Sequence, residues 1–376
     1  MKKIIFTLLI IQLGMNISNA QWVQQYPETP YIHLYDVKFV NNNTGWTCGG
    51  NGIILKTTNH GLNWVSQNSG IVGKYLVSIS AVNANVVYIV GFFETIIKTT
   101  NGGDNWTAIK NGSYGQGHSY EGVYFINENT GWICGSGSLI FKTTNGGINF
   151  DSVNIPVGYL YDIYFRNANE GLVCGEAATM YKTSNGGLNW QEIILPVGFE
   201  AADFSNLSVI NNNIVYTQGV QNNKLYKSTN FGISWDSIAR VQGADDSYTN
   251  FFPNEMTGWC AGSYGLMFKT TNGGYNWQPE VVPALNQAFF KSIYFIDNYT
   301  GWAVGGATKI FYTSNGGATF IANEGVIVTD FKLYQNYPNP FNSKTILSFD
   351  VLKRDNYSIK IFNTLGISIE EYNYKN

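Results

Sequence analysis

One short stretch returns seven times along the chain and restricts what the chain can fold into. Its first copy, residues 56–64, reads KTTNHGLNW, and the shared pattern is Ser/Thr-x-Asn-x-Gly-x-x-Trp/Phe. The later copies end at Trp106, Phe150, Trp190, Trp235, Trp277 and Phe320. The aromatic residues are separated by 42, 44, 40, 45, 42 and 43 residues. Such a regular spacing predicts an array of equivalent structural units rather than one irregular core.

Each copy, which we call a clip, has the composition of a tight hairpin connection between two strands. Its Asn can accept a hydrogen bond from the backbone N–H two residues on, as in an Asx-turn. Its Gly can take a positive φ at little cost, and its aromatic ring opens the next strand and can be buried. A clip contains neither a nucleophile nor an acid, so we expect a structural role for the clip asparagines. These are Asn59, Asn101, Asn145, Asn185, Asn230, Asn272 and Asn315.

Each repeat divides into four strand-like runs. The first alternates apolar residues, as at Val37 and Phe39; the second reads Gly-Trp-x-x-Gly in several repeats; the third precedes the clip; and the fourth follows it. Four strands in 40 to 45 residues is the period of a propeller blade. The sequence therefore predicts an all-β chain with a seven-bladed β-propeller over residues 21–325. Residues 22–25 look like a fourth strand without its own clip, so we expect them to complete the last blade.

The clip pattern resembles the Asp-box of bacterial neuraminidase repeats. Together with Gly-Trp-x-x-Gly at residues 45–49, 131–135 and 301–305, it more closely resembles the repeat of photosystem II assembly and stability factor-like propellers. The resemblance covers roughly residues 22–323 and implies a propeller with a binding or assembly role. All seven clips carry Asn where the family name implies Asp, and the loss of charge favours a structural role over metal binding. Such propellers host unrelated functions, so the resemblance says more about fold than about activity.

The first 20 residues are typical of a secretory signal peptide. Lys2 and Lys3 precede an apolar run at 4–13, and Ser18 and Ala20 are the small residues of a cleavage site. The apolar run is shorter than the roughly 20 residues that span a bilayer. We therefore expect a mature chain that starts near Gln21 and contains no transmembrane segment.

The C-terminal part departs from the repeat. After a linker predicted at 326–332, residues 333–376 resemble the C-terminal sorting domain of the Bacteroidetes type IX secretion system, through an Ile-Phe-Asn-Thr-Leu-Gly run at 361–366 and a preceding motif. That motif is Tyr337, Pro338, Asn339, Pro340, Phe341 and Asn342. The resemblance implies a short β-sandwich-like domain, the type IX machinery as a partner, and a secreted or outer-membrane-surface location reached through the periplasm. The family's sandwich normally continues beyond the equivalent of Asn376, so we expect an incomplete domain, either truncated or degenerate.

Composition excludes several classes of function. Charged residues make up 12% of the chain, the net charge is −3 and no basic run occurs, so nucleic acid is not expected as a partner. Cys48, Cys134 and Cys174 occupy one repeat position and Cys260 is shifted by one, which places them in different blades, too far apart for disulfides. We expect four buried free thiols. No Cys-x-x-Cys or His-x-x-x-His spacing occurs, so neither a metal site nor a cofactor is predicted.

The resemblance to the Asp-box makes a sialidase the first enzyme to compare with a binding role. Sialidases hold the substrate carboxylate with three arginines, and this chain has only Arg166, Arg240 and Arg354, the last of them outside the propeller. An extracellular glycoside hydrolase of the Asp-box propeller type is the alternative, although xyloglucanase-like enzymes cleave between two propellers and this chain has one. We expect a non-catalytic binding or assembly module for glycan or protein.

The connections from each fourth strand to the next first strand should lie on the face opposite the clips. They are aromatic and mildly acidic, which suits a ligand site, although many of these rings could pack between blades instead. Residues 111–122, taken as the longest such connection, are the expected centre of that site. The candidate ligand residues are Tyr75, Tyr114, His118, Tyr120, Glu121, Tyr161, Phe199, Tyr248 and Phe289.

Overall fold

The structure is a computed structural model of the chain. It describes residues 22–25, 32–156, 158–196, 202–241, 247–280, 282 and 289–317, and the backbone of four short strands beyond them. Contacts divide the chain into two compact units, one of Ala20–Thr319 and one of Met1–Asn19 with Phe320–Asn376. The first unit contains seven antiparallel four-stranded sheets, which confirms the predicted seven-bladed β-propeller.

The strands follow one another from the inside of each blade to its outside. The first three blades are β2 (Leu34–Phe39), β3 (Gly45–Gly49), β4 (Ile54–Thr57) and β5 (Val65–Gln67); β6 (Leu76–Ala81), β7 (Val87–Gly91), β8 (Thr95–Thr99) and β9 (Thr107–Lys110); and β10 (Tyr120–Phe125), β11 (Gly131–Gly135), β12 (Leu139–Thr143) and β13 (Asp151–Asn154). The next three are β14 (Leu160–Phe165), β15 (Gly171–Gly175), β16 (Met180–Thr183) and β17 (Gln191–Glu192); β18 (Ser208–Ile210), β19 (Ile214–Gln218), β20 (Lys224–Ser228) and β21 (Asp236–Arg240); and β22 (Ser247–Phe251), β23 (Gly258–Gly262), β24 (Met267–Thr270) and β25 (Gln278–Pro279). The seventh is β26 (Phe290–Phe295), β27 (Gly301–Gly305), β28 (Ile310–Thr313) and, from the N-terminus, β1 (Val23–Gln24).

Helical structure in the described residues is confined to three 3₁₀ turns, each between the second and third strands of a blade. They are Gly50–Gly52, Ser263–Gly265 and Gly306–Thr308. No described helix is long and apolar enough to cross a membrane.

The N-terminal strand closes the ring, as its sequence predicted. Val23 of β1 pairs with Tyr312 of β28 in the last blade. The fully buried Trp22 ring meets Phe295 edge-on at 5.9 Å, as Trp64 meets Phe39 at 5.9 Å in the first blade. Trp22 therefore occupies in the seventh blade the place that Trp64 occupies in the first. Because β1 pairs with the outer side of β28, the first and last parts of the propeller share one sheet, and β28 is not left as its edge strand.

The core lies between neighbouring blades. The predicted apolar alternation is confirmed, because Val37 and Phe39 are 0% and 5% exposed. In five of the seven interfaces the second-strand aromatic ring of one blade stacks on a Phe at the end of the first strand of the next blade, or directly after it in the case of Phe252. The ring centroids are 3.5 to 3.9 Å apart. The pairs are Trp302 with Phe39, Tyr88 with Phe125, Trp132 with Phe165, Tyr216 with Phe252 and Trp259 with Phe295. Stacked rings of this size provide much of the apolar burial that holds blade to blade.

The clips are rigid turns. The predicted hydrogen bond to the Asn side chain from the N–H two residues on is present in the seventh clip, where Asn315 Oδ1 accepts from Gly317 N–H at 3.2 Å. In the other six clips the Asn accepts from a later N–H.

In the first clip, Asn59 Oδ1 accepts from the N–H of Asn63, four residues on, at 3.0 Å rather than from the residue two on. Thr57 Oγ1, two residues before the Asn, accepts from Gly61 N–H at 2.8 Å. The predicted positive φ is confirmed at Gly61, at 77°, and the preceding His60 also has φ 60°. Two successive left-handed residues turn the chain back on itself, which brings the later N–H to the Asn side chain.

All four cysteines are free and buried, as expected. Cys48 Sγ lies 3.3 Å from the Leu76 carbonyl oxygen and Cys174 Sγ 3.2 Å from that of Phe204, each a contact to the next blade. Burial raises the pKa of both thiols well above the ordinary value. These thiols therefore fill the interfaces between blades as small apolar groups.

The second unit contains two short antiparallel pairs. They are β29 (Phe331–Leu333) with β30 (Phe349–Val351), and β31 (Tyr357–Phe362) with β32 (Ser368–Tyr374). Strand β29 begins within the residues assigned to the linker. The predicted signal peptide at 1–20 and the motif at 337–342 lie outside the described residues.

Candidate functional site

The seven inner strands surround a central channel with a cavity of about 490 Å³. Six of the seven inner strands begin with an irregularity of pairing, and only β18 pairs regularly. In β2, Leu34 pairs with Gly49 and Asp36 with Cys48, so Tyr35 is the extra residue of a β-bulge. In these six strands the second residue lines the cavity, and the third does so in all but β10, where it is Gly122. Five of the first residues are buried between blades, namely Leu34, Leu76, Tyr120, Leu160 and Phe290. The bulge thus places two successive layers of side chains at the channel.

One layer of the cavity lining takes one residue from each blade, and we call it the mouth ring. Six members are the second residues of inner strands, and the seventh, Ser205, comes just before β18. It combines three tyrosines, one carboxylate, one ammonium group and two small uncharged residues. Its members are Tyr35, Val77, Glu121, Tyr161, Ser205, Tyr248 and Lys291. These side chains lie toward the face that carries the connections between blades, because they follow those connections directly. The clips lie on the opposite face.

The next layer contains two carboxylates that join blades. Asp36 Oδ2 accepts from the backbone N–H of Ile79 in the second blade at 2.9 Å, and its Oδ1 accepts from the Ser292 hydroxyl of the seventh blade at 2.7 Å. Asp162 Oδ2 accepts from Leu207 N–H in the fifth blade at 2.8 Å. Burial raises the pKa of Asp162 to about 6. Because each of these oxygens already accepts a hydrogen bond from the protein, the two carboxylates act as structural ties between blades.

Glu121 and Lys291 carry the charges of the mouth ring. Burial raises the pKa of Glu121 to about 7, while a hydrogen bond from the Tyr159 hydroxyl at 3.3 Å and the Lys291 charge act in the opposite direction. Burial lowers the pKa of Lys291, and the Glu121 charge opposes that shift. The Lys291 ammonium lies 4.0 Å from the Tyr248 ring centroid and 5.8 Å from that of Phe289. The ring therefore holds one cation seated on aromatic faces and one desolvated carboxylate.

A row of aromatic rings runs from the mouth ring outward over the second blade. Tyr35 meets Tyr75 at 6.0 Å, Tyr75 meets Phe92 at 5.5 Å, and Phe92 meets Phe93 at 6.4 Å. Phe93 meets Tyr114 at 4.6 Å, and Tyr114 is 68% exposed. The row leads from the exposed Tyr114 to the channel, and neighbouring ring centroids in it are at most 6.4 Å apart.

The structure places five of the predicted ligand residues at or beside the mouth ring. Glu121, Tyr161 and Tyr248 belong to it, Tyr75 touches Tyr35, and Phe289 lies beneath Lys291. Tyr114 stands at the outer end of the aromatic row.

The remaining candidates lie elsewhere. Tyr120 is 1% exposed, and the Lys110 ammonium donates to its hydroxyl at 3.1 Å, so this ring packs in the core instead of facing a ligand. His118 is half-buried on its connection, where its carbonyl accepts from Glu94 N–H at 2.7 Å. Phe199 lies outside the described residues.

The connection that carries Tyr114 is not the longest one. It spans residues 111–119, between β9 and β10, whereas the connection from β17 to β18 spans 193–207. The prediction of the longest connection was wrong because the inner strand of the fifth blade is short and begins only at Ser208. Phe204, four residues earlier, forms an isolated bridge with Gly219.

Sequence reasoning missed Tyr35 and Lys291, which belong to inner strands instead of connections. A signal was present: aligning the repeats on the clips puts both residues at the position of Glu121. Side chains at one repeat position meet around the axis of a propeller, so that column could have been read as a ring.

Arginine and metal-ligating residues form no cluster at the channel within the described part of the chain. Arg166 donates to Glu170 at 2.6 Å and lies 4.3 Å from the Phe231 ring, while Arg240 is on the outer strand β21. Arg354 is outside the described residues. The described residues contain no group of three His, Cys, Asp or Glu side chains suited to a metal ion.

Comparison with known proteins gives one family match. A family model described as photosynthesis system II assembly factor YCF48 matches residues 15–118 and 71–158. This covers the N-terminal part of the propeller and adds to the similarity of its repeats to that family. No curated protein matches the chain.

Solved structures share the fold at low sequence identity. A structure of YCF48 bound to D1 peptide is 17% identical, with a TM-score of 0.65 over 80% of this chain and 98% of that one. A streptogramin B lyase is 13% identical, with a TM-score of 0.66 over 77% and 96%. The GH74 xyloglucanase from Xanthomonas campestris is 10% identical, with a TM-score of 0.61 over 79% of this chain and 54% of that one. One propeller architecture thus serves binding proteins and enzymes alike, and the function has to be argued from the site.

Proposed function

We propose that this chain is a non-catalytic binding module that holds an extended segment of polypeptide at the channel mouth. The carrying observation is the mouth ring with its aromatic row, which joins an open cavity of about 490 Å³ to solvent through successive rings. Tyr and Phe rings provide large contact areas at a low cost in conformational entropy. A site built from them binds without needing a reactive group.

Two observations favour a polypeptide over a glycan. The mouth ring carries both a carboxylate, Glu121, and an ammonium group, Lys291, on opposite parts of the ring. Peptide segments present both signs of charge beside apolar side chains, whereas neutral glycans carry no charged group. The similar YCF48 structure holds a peptide, which supports the same class of ligand here.

A hydrolase remains the alternative function, because a carboxyl group with a pKa near 7, as at Glu121, suits a general acid. Glycoside hydrolysis needs a second carboxylate about 5–9 Å away. Asp36 and Asp162, the carboxylates of the next layer, accept hydrogen bonds from the backbone and from Ser292 of adjoining blades, so a role in joining the blades accounts for both. The channel therefore favours binding over catalysis.

The binding proposal is tested by selection and by matched variants. The purified chain is screened against displayed random nonapeptides and, in parallel, a glycan array. We expect selected peptides to lose about tenfold in affinity on Tyr75→Ala and on Tyr161→Ala, because each change removes an aromatic contact worth roughly 1–2 kcal/mol. Tyr275→Ala is the control, since Tyr275 is 65% exposed and lies on a clip of the opposite face.

The possible outcomes distinguish peptide binding at the mouth from binding elsewhere, from glycan binding and from hydrolysis. Peptides that bind both mouth variants as tightly as the wild type would place the site elsewhere. Glycan binding without any peptide binding would assign the mouth to sugars. Turnover of a glycoside that is lost on Glu121→Gln would establish the hydrolase instead.

We also propose that the protein works outside the cell. The composition of residues 1–20 and the sorting-type motif at 337–342 support export and recognition by type IX secretion machinery. In a host that has this machinery, the full chain should reach the culture medium or the cell surface. A chain ending at residue 330 should stay in the periplasm, and equal release of both would contradict the proposal.

A further inference from the structure

The two charged groups of the mouth ring, Lys291 and Glu121, differ in how well their surroundings stabilise the charge. The Lys291 ammonium lies 4.0 Å from the Tyr248 ring centroid and within reach of Phe289, so aromatic faces stabilise its charge. Glu121 accepts a single long hydrogen bond of 3.3 Å, from the neutral Tyr159 hydroxyl. Among the ion pairs of the described residues, none includes Glu121. The ring therefore contains a desolvated carboxylate whose counter-charge is incomplete.

Tyrosine rings lie on the same part of the mouth as this carboxylate. Tyr159 contacts it directly, and Tyr159 and Tyr161 lie 5.5 Å apart. Burial raises the pKa of Tyr161 to about 12, with further increases from the charges of Asp203, Glu176 and Glu121. Burial also raises the pKa of Tyr35, again with a contribution from Glu121. The part of the mouth around Glu121 thus combines several tyrosine faces with a negative field.

An aromatic cage beside a carboxylate is a general solution for holding an alkylammonium or guanidinium group. The ring quadrupoles attract the cation, and the carboxylate supplies a charge-assisted hydrogen bond. An incoming cation would also relieve the desolvation of Glu121, because it supplies the counter-charge that the protein lacks there.

We propose that the mouth ring binds a cationic side chain, Lys or Arg, of the polypeptide segment, between Tyr35, Tyr159 and Tyr161 with Glu121 as its counter-charge. This inference rests on the proposed function and deepens it, because it names the group that the mouth selects. Lys291, which lies over the Tyr248 ring in the same mouth ring, weakens binding of the ligand's cation because its own charge partly compensates that of Glu121.

The test uses synthetic nonapeptides of one Gly-, Ser- and Tyr-containing sequence with Lys, Arg, norleucine or Glu at the central position. Affinities for the full chain are measured by titration calorimetry. We expect the Lys and Arg peptides to bind at least about tenfold more tightly than the norleucine peptide, the size of one charge-assisted hydrogen bond. Glu121→Gln should reduce that preference to within about twofold, whereas Lys291→Met should increase it.

Glu94→Gln is the matched control, because Glu94 is an acidic residue on the same face that already pairs with Lys110 at 3.1 Å. This variant should keep the cation preference. Thermal melting checks that each variant is folded; if Glu121→Gln does not fold, the Lys291→Met variant and the peptide series on the wild type carry the test.

The possible failures are distinguishable. A cation preference that survives Glu121→Gln, or equal binding of the Lys and norleucine peptides, overturns this inference and leaves the proposed function standing. If none of these peptides binds and the random library also returns none, both proposals fail together.

Discussion

At the scale of single residues, the clip shows how one turn is specified several times over. In all seven clips the Ser or Thr before the Asn hydrogen-bonds to its side chain, and that hydroxyl also accepts from the Gly N–H. The Gly is needed for two reasons, namely a positive φ and a lack of space. A Cβ on Gly61, where φ is 77°, would lie 2.5 Å from Nε1 of the fully buried Trp302 ring in the neighbouring blade.

Gly61→Ala is therefore expected to destabilise the propeller by about 2–3 kcal/mol, because it adds overlap with a rigid ring to the roughly 1–2 kcal/mol of left-handed strain. The control is Gly70→Ala. Gly70 also has a positive φ, 70°, but a Cβ there would meet nothing within 4 Å, so this variant should lose only the stability that the left-handed strain costs. Urea unfolding of both variants measures the difference, and equal losses would show that the clip is not tightly packed against the next blade.

At the scale of elements, the closing strand shows how the ring is sealed. Three residues after a clip aromatic, Gln67 Oε1 accepts from Trp106 Nε1 of the next blade at 3.2 Å, and Gln25 Oε1 accepts from Trp64 at 3.3 Å. At the equivalent position of the sixth blade stands Glu280, beside Trp22 and Gly317. Burial raises the pKa of Glu280, and the nearby Lys269 charge opposes this shift.

Glu280→Gln should therefore stabilise the protein at alkaline pH. Because the folded-state pKa of Glu280 lies above the ordinary 4.5, its contribution to stability is fully present at low pH and is lost as pH rises through the raised pKa. The variant should equal the wild type near pH 4.5 and exceed it by about 1 kcal/mol or more near pH 9, on the scale of 1.36 kcal/mol per pKa unit. Denaturant unfolding across this pH range measures the difference, and a gap that does not change with pH would show that burial of Glu280 costs nothing.

At the scale of the whole molecule, the ring keeps equivalent positions apart except at its axis. Side chains between blades meet only their immediate neighbours, whereas the mouth ring brings one residue of every blade to one cavity. The same geometry explains why the cysteines remain thiols: each lies in its own blade, and all four are 0% exposed.

Thiol titration without reductant should therefore count four groups in guanidinium chloride and almost none in the native protein. The native thiols should react slowly, because burial raises their pKa and excludes the reagent. A count of two or zero in denaturant would mean that cysteines from different blades form disulfides, which the ring geometry does not allow.

The sequence by itself determined the number of blades, the order of their strands, the closing role of residues 22–25 and the free thiols. All of these follow from a spacing, and a spacing of 40 to 45 residues admits few architectures. Only the tertiary structure decided which side chains meet at the mouth. Tyr120 and Glu121 are adjacent, yet the first is buried between blades and the second faces the cavity, because successive residues of a strand point in opposite directions and the bulge sets which direction is inward. Glu121 and Lys291 are 170 residues apart and share one cavity because closure of the ring brings seven distant strands around one axis.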